Sequence, residues 1–597
     1  MNISEEYALL VRQLVSNGWQ LDKDASNLLK NIDWETLSPS DLVEQLITEA
    51  EKQALKLRVV DKNIVTTVLN STLPPTPTPQ TQPDHETTLP EEKKEPPPLP
   101  QPSPPENIPQ TSRTETEPKS GPVEKESSMT VPVPSLSSEP PRPAPSLPPE
   151  ATRSTPELTL SSPSEPQLPQ ATQSVGTISP FAAGIESRVK VIKDPSNIQS
   201  FGVSVNEFHS YFQNRFEQLR RIFQERPDGR AIHTLSDCLA AKSGMKMKVI
   251  VMIMDKRERE DRLFLTVDDL SDSATVLVDA KRTPQAYETA AMAPRDQVVC
   301  IEAAKSSRGD LLIAETIILP DVPDRKPKTA DEEIYAALLS DIHVGSKKFL
   351  EDTFNRVILW LNRKTGNSQQ VNVAGRTKYV IIAGDLIDGI GVYPGQEKEL
   401  RIPDIYEQYT YVAKFISQIP DYMEVIIIPG NHDGVRQALP QPAILRDFAE
   451  PVYEARKIIS LGNPAEVELH GVHFLLHHGR SLEDILTSAP GMKFERPEKA
   501  MKLQLRCRHL APEYGNRTSI APTQTDHLII EKPPDVFQSG HIHVYAQESY
   551  RGTLIINSGA WQGETDYQRR IGLKPNPGIL PIVNLKTLNL SAINFNQ

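Results

Sequence analysis

Three features of the sequence predict an α/β protein of several domains rather than one continuous core. Apolar residues recur at helical spacing through the first 70 positions. Proline, serine, threonine and glutamate then dominate from about Thr72 to Ser196. From Glu333 onward, apolar strands alternate with amphipathic helices. At 597 residues the chain also exceeds what a single hydrophobic core sustains. The expected divisions are a helical module over 1–70, a disordered linker over 71–198, a helix and small β-barrel over 199–325, and a catalytic-sized α/β domain over 330–597.

In the first segment Tyr7, Leu10, Val11 and Leu14 recur on one helical face, and Leu42, Val43, Leu46 and Ile47 repeat the pattern. Ser38 and Ser40 are the candidate N-caps of the second of these helices. A docking role without chemistry suits such a module. The next stretch, with runs such as TLPPTPTPQTQP and EKKEPPPLPQPSPP, buries too little apolar surface to offset its ordering entropy, so it reads as a tether. Order resumes near Ser204, where Phe208, Tyr211, Phe212, Phe216, Leu219 and Phe223 share one face of a helix. Such a stripe belongs to a core or an interface. Five β-rich runs follow: MKVIVMIMDK, RLFLTVDDL, ATVLVDA, DQVVCIEAAK and DLLIAETIIL. Their number and spacing predict a small Greek-key barrel of the OB type. With Phe264 nearly alone as an aromatic, a protein-binding barrel fits these strands at least as well as one that stacks bases.

Composition excludes several classes. The three cysteines (Cys238, Cys300, Cys507) lie far apart and form no C-x-x-C pair, which excludes a disulfide framework and a zinc ribbon. The acidic, amphipathic start MNISEEYALLVRQL is no signal peptide, and no apolar run approaches membrane-spanning length. A soluble cytoplasmic protein without membrane contact is expected. The net charge of −13 decides little, because acidic residues gather in the Pro-rich stretch while basic clusters lie near the C-terminal motifs.

The last domain carries the chemistry. Its strands IYAALLSD, KYVIIAGD, EVIIIPGN, VHFLLHH, VFQSGH and TLIINSGA mostly end in residues able to hold a metal or a phosphate. In order these give Asp341-Ile-His343, Gly384-Asp385-Leu-Ile-Asp388-Gly, Gly430-Asn431-His432-Asp433, His477-His478-Gly479 and Gly540-His541-Ile-His543. Alternation along a strand predicts that each D-x-H or H-x-H pair points both side chains one way. Sites in sheet proteins gather at strand ends, so the five pieces predict one shared cleft. Carboxylate, imidazole and amide together suit manganese, iron or zinc better than calcium.

This series resembles the calcineurin-like metallophosphoesterase superfamily over essentially all of 335–597. The resemblance implies a β-sandwich flanked by helices with two divalent metals, Mn²⁺ foremost and Mg²⁺, Fe²⁺ or Zn²⁺ as alternatives. One metal would be held by Asp341, His343, Asp385 and His543. Asp385 would bridge to a second, held by Asn431, His478 and His541. A metal pair of this kind activates water and neutralises an in-line transition state. His432 would protonate the leaving oxygen, with Asp388 orienting it. His477 and His478 face opposite sides of their strand. The residue directly before Gly479 matches the family position, which selects His478 and leaves His477 to the core.

The flanks narrow the substrate. RCRHLAPEYGNRT (506–518), HHGRSLEDI (477–485) and NSGAWQGETDYQRRIGLKPNPGILP (557–581) resemble the small-subunit family of archaeal D-family DNA polymerases. That resemblance implies a proofreading 3′→5′ exonuclease that forms a heterodimer with a large catalytic polymerase subunit, acts on DNA 3′ ends and works beside a sliding clamp. Arg480 is the candidate phosphate grip, with Arg506 and Arg508 as further DNA contacts. The helix carrying Lys493, Arg496, Lys499 and Lys502 either tracks phosphates or is a solvated face. Two other readings stand beside the nuclease: a docking scaffold for the polymerase, and a protein phosphatase or small-nucleotide phosphodiesterase.

Overall fold

A computed structural model describes residues 5–17, 19–32, 34, 37–53, 59–72, 179–198, 204–227, 229, 231–307 and 310–596. Most of the expected linker, 73–178, lies outside the described residues. The architecture is mixed α/β.

Near the N-terminus, helices Glu5–Ser16, Lys23–Lys30, Pro39–Lys52 and Lys62–Thr72 enclose Tyr7, Leu10, Leu14, Leu29, Leu46 and Ile64. Ser38 sits at the N-cap of the third helix without a capping hydrogen bond, and Pro39 opens that helix. Ser40 falls within its first turn and caps nothing.

The aromatic helix spans Val205–Gln224 and is started by a capping box between Ser204 and Glu207. It buries Tyr211, Phe216, Leu219 and Phe223, while Phe208 is only half-buried. After it, the strands Lys246–Arg259, Arg262–Asp268, Ser273–Asp279, Leu311–Ile318 and Val298–Lys305 pair in that order. The last pairs back onto the first, which closes a five-stranded barrel. Helix Pro284–Met292, which the run of strands did not announce, packs Ala286 and Ala290 into the barrel core.

Two six-stranded sheets form the rest. The first orders Ile459–Ser460, Glu424–Ile428, Thr377–Ala383, Tyr335–Leu339, Ile579–Asn584 and Leu590–Asn594, the first four strands being parallel. The second orders Ala546–Tyr550, Thr553–Asn557, Val536–Ser539, Val472–Leu476, Ala465–Leu469 and Val189–Lys193. They pack face to face over Leu338, Ile381, Ile426, Val467, Phe474, Val536 and Ile556. Helices Glu351–Leu361 and Ile405–Ile416 cover the outside of the first sheet. Helices Leu482–Ser488 and Pro497–Cys507 cover the second and join its core to the barrel. Position 198 is therefore too late a boundary for the tether: the residues from 179 onward turn at Phe181–Gly184 and then supply an edge strand of the sandwich. Backbone pairing with Ala465–Leu469 holds that strand, although its own side chains are mostly exposed.

All three cysteines are buried and free. Among the described residues, no helix is long and apolar enough to cross a membrane.

Candidate metal centre

Five strands of the sandwich aim the same ends at one place. Tyr335–Leu339, Thr377–Ala383 and Glu424–Ile428 are neighbours in the parallel part of one sheet, and Val472–Leu476 lies parallel to Val536–Ser539 in the other. Just past their ends come Asp341, Asp385, Asn431, His478 and His541. The expectation that strand alternation places the D-x-H and H-x-H pairs fails here. Asp341, His343, His541 and His543 lie beyond the strands, each with a left-handed backbone (φ 52°, 55°, 69° and 60°). Asp385 shares that conformation at φ 54°. Sharp turns, rather than a pleat, therefore converge the side chains, at a local backbone cost characteristic of functional sites. The glycines answer to the same crowding: a Cβ on Gly430 would fall on Asp385 Oδ1, and one on Gly540 on Asp341 Oδ2.

Three groups of candidate ligand atoms result, Asp341–His343–His543, His343–Asp388–His432 and Asp385–His478–His541, each with its atoms within 4.8 Å of one another. His343 Nε2 lies 3.1 Å from His543 Nε2 and 3.7 Å from Asp385 Oδ2. Asp341 Oδ1 is 3.4 Å from His543 Nε2. His478 Nε2 approaches Asn431 Oδ1 at 3.0 Å and Asp385 Oδ2 at 3.3 Å. All seven predicted ligands therefore meet at one centre. His477 points the other way into the core, between Asn463 (3.0 Å) and Ser481 (3.1 Å), where burial pushes its pKa down to about 3.

The donor set fits divalent metals. His343 Nδ1 donates to Asp388 Oδ1 at 3.0 Å and His478 Nδ1 to the Ala383 carbonyl at 2.9 Å, which turns both Nε2 lone pairs inward. Burial raises the Asp385 carboxyl, but the imidazoles of His478 and His432 outweigh it and hold Asp385 well below the usual carboxylate range. Burial likewise opposes charge on His478, yet Asp385 pushes its pKa up to about 9. The centre thus attracts positive charge strongly, as a cation site must.

His432 is half-buried beside the cluster, its ring 4.7 Å from that of His343. Its Nδ1 lies 2.7 Å from the backbone carbonyl of Asp388. Asp388 therefore orients His432 through its main chain, while its carboxylate serves His343; the predicted carboxylate contact to His432 is not made. Other supporting residues carried no clear signal in the sequence. Gln562 Nε2 donates to Asp388 Oδ1 at 2.9 Å, and Gln568 Nε2 lies 2.9 Å from His543 Nδ1. Glu483 Oε1 is 3.4 Å from His541 Nε2. Asp433 accepts from Gly430 N at 2.9 Å, and burial next to Asp385 pushes its carboxyl up to about 6. Asp433 closes the GNHD run, Glu483 lies in the HHGRSLEDI segment, and both glutamines lie in the quoted C-terminal segment, but neutral amides carry no signal of their own.

The three predicted DNA-binding arginines separate. Arg480 is half-buried on the turn after His478, with Nη1 3.4 Å from Gln437 Oε1. Arg508 is buried and spends its guanidinium on the carbonyls of Ile530 (2.6 Å), Asp321 (3.3 Å) and Glu531, so it cannot meet DNA. Arg506 is half-buried in the last turn of the same helix, its own carbonyl accepting from Asp321 N at 2.8 Å. Along that helix Lys499 and Lys502 both pair with Glu548, at 3.1 and 2.9 Å, and Arg496 pairs with Glu498. Its positive face is largely neutralised within the protein.

Comparison with known proteins agrees on kinship. The family model for the B-subunits of DNA polymerases alpha and epsilon matches residues 337–546, the stretch that contains all seven candidate ligands. The DNA polymerase II small subunit of Archaeoglobus fulgidus is 38% identical over 65% of this chain and 77% of that protein. The chain belongs to the archaeal DNA polymerase II small-subunit family. The Pyrococcus furiosus small subunit is also 38% identical, and the match spans 64% of this chain but only 63% of that relative's length. A solved structure titled as a novel archaeal phosphodiesterase overlaps 44% of the chain and 99% of its own at 16% identity and a TM-score of 0.23, too slight an overlap to bear on fold or activity.

Proposed function

We propose that this small-subunit family member is a 3′→5′ exonuclease of the metallophosphoesterase type. It would proofread within a two-subunit DNA polymerase whose large subunit synthesises. The observation that carries the reading is the convergence of seven buried or nearly buried ligand-type side chains on one centre, with a half-exposed histidine beside them. A scaffold has no need of carboxylates and imidazoles packed this closely, because uncompensated buried charge is costly.

Asp341, His343, Asp385 and His543 would hold one divalent ion, and Asp385, Asn431, His478 and His541 the other, with Mn²⁺ as the first choice. When bound, such a pair supplies an activated water and neutralises charge on the phosphate. The protein's own groups do the rest. The Asp388 carbonyl fixes His432 Nδ1–H, so Nε2 is the nitrogen that faces the substrate. As the water oxygen bonds to phosphorus and the P–O3′ bond breaks, protonated His432 gives its Nε2 proton to the departing 3′-oxygen. The terminal nucleotide leaves as a 5′-monophosphate. Arg480, on the turn beyond His478, is placed to grip the scissile phosphate.

The test is degradation of a 5′-labelled, 3′-mismatched oligonucleotide with Mn²⁺. The unaltered chain is expected to shorten it from the 3′ end. Asp385→Asn should remove the activity, because metal stabilisation of several kcal/mol corresponds to about a thousandfold or more in rate. His432→Ala should lower kcat by roughly 10²–10⁴-fold with metal binding retained. No degradation, even with the large subunit present, would leave a docking scaffold.

A further inference from the structure

The N-terminal helices fold back against the phosphoesterase loops. The Tyr7 hydroxyl donates to Asp404, Ser26 Oγ donates to the same carboxylate at 2.8 Å, and Lys30 Nζ lies 3.2 Å from Asp404 and 2.9 Å from Glu407. Lys23 pairs with Glu450. Tyr7, Ser26 and Asp404 are buried, so the middle of the seam is desolvated and mutually satisfied, while the Lys23–Glu450 pair lies exposed at its rim. Between the seam and the metal centre remains a cavity of about 330 Å³. Val11 and Leu21 line it from the module, and Val392, Tyr406 and Phe448 from the phosphoesterase side; His432 and Asn431 border it. The Tyr406 and Phe448 rings stand 5.8 Å apart and inclined by 32°. The size falls at the lower end of small-ligand pockets, and the lining mixes the apolar and aromatic side chains with polar ones, Gln20, Arg436 and Gln437 among them, and with Asn431 and the reactive histidine at its edge.

We infer that this cavity receives the penultimate base of a DNA 3′ end, the N-terminal module forming one wall of the substrate site. The inference rests on the nuclease reading of the metal centre. His432 donates to the leaving 3′-oxygen, and in 3′→5′ cleavage that oxygen belongs to the penultimate nucleoside. A pocket bordered by His432 therefore lies on the side of that nucleoside. Within that pocket, the Tyr406 and Phe448 rings with Val11, Leu21 and Val392 offer an apolar surface that accepts any base by its face, as a proofreader requires. A base enclosed on both sides cannot be paired or stacked in a duplex, so the strand must fray to enter, and mispaired ends fray most readily. The module would thereby turn an indifferent diesterase into one that selects single-stranded ends.

The test uses the full chain and binding without turnover, in EDTA, with oligonucleotides carrying 2-aminopurine at the penultimate or terminal position. The penultimate probe should change its fluorescence on binding more than the terminal one. An abasic penultimate position should weaken binding about five- to a hundredfold, as loss of one stacked base does, and an abasic terminal position far less. Phe448→Ala and Leu21→Phe, one from each wall, should each erase the difference between base-bearing and abasic strands. Two half-buried positions are chosen so that misfolding of one variant leaves the other to decide. Equal effects of the two abasic positions, or both variants binding as the unaltered chain does, would overturn the inference. An effect of Phe448→Ala without one of Leu21→Phe would overturn the module's part in it. Metal-dependent hydrolysis of bis(p-nitrophenyl) phosphate, a diester without bases, is read alongside. Its absence counts against the nuclease reading and leaves the binding result to stand by itself.

Discussion

Two buried clusters of aspartate and histidine lie in this molecule, and they behave oppositely. At the candidate metal centre, Asp341 and Asp385 face His343, His478, His541 and His543, and the Nδ1 hydrogen bonds of His343 and His478 turn their Nε2 lone pairs inward. In the second cluster, Arg215 Nε donates to Asp526 Oδ2 at 2.8 Å, His509 Nε2 meets the same oxygen at 2.8 Å, and Arg215 Nη1 donates to the Pro512 carbonyl at 2.9 Å. Here every charge has its opposite beside it: the guanidinium and His509 hold the Asp526 carboxyl far below its usual range against burial, and burial pushes His509 down to about 4. The second cluster is complete in itself and clamps the aromatic helix to the C-terminal α/β domain. The first is incomplete without added positive charge. Both are buried and both set aspartate against histidine; what differs is that a guanidinium completes the second, so that its members satisfy one another.

That contrast can be broken by experiment. The largest stability effect is expected at Arg215→Ala, which leaves the buried Asp526 without its guanidinium and with only His509 beside it, and should cost about 3–5 kcal/mol in urea unfolding. Asp385→Asn, made in the first cluster and measured without metal, should cost less, since the lost pairing with His478 is partly offset by relief of the repulsion on Asp433. Equal losses in the two variants would erase the distinction. A smaller effect is expected at Asp388→Asn, which weakens the hold on His343 Nδ1 and should reduce Mn²⁺ affinity about 10–100-fold by isothermal titration. The smallest is expected at Lys499→Ala with Lys502→Ala. These side chains already pair with Glu548 at a part-exposed site, so stability should change by less than about 1 kcal/mol and the salt dependence of DNA binding not at all. A shallower salt slope in that double variant would return the helix to the DNA path.

The legible and illegible parts of the site divide along physical lines. That these residues gather was readable because Asp341, Asp385, Asn431 and the histidines each follow an apolar strand, and the ends of neighbouring strands must come together. How they converge was not, because left-handed turns at Asp341, His343 and His541 replace the expected alternation. The five barrel strands were readable from β-branched runs, whereas helix Pro284–Met292, rich in alanine and short, gave little periodicity. Arg508 illustrates the limit of charge as a signal. In sequence it stands among other basic residues near a ligand, and only the fold shows that backbone carbonyls consume its donors. Arg215 was equally hidden, lying between the aromatic positions of a helix whose partner carboxylate comes from a distant loop. Tertiary partners of that kind leave no trace in local pattern.

The edge strand Val189–Lys193 also constrains how the protein is made. It emerges from the ribosome long before Ala465–Leu469, the strand it must pair with, and the whole barrel is synthesised between them. Until that partner appears, these residues have no sheet to join. Val189, Val191 and Ile192 are apolar, and the last two stay exposed even in the finished sheet, so during that wait Lys190 and Lys193 are the charges that discourage pairing with another chain's edge. The sandwich is thus sealed by one of its earliest-made pieces, and its completion depends on synthesis having passed well into the C-terminal domain.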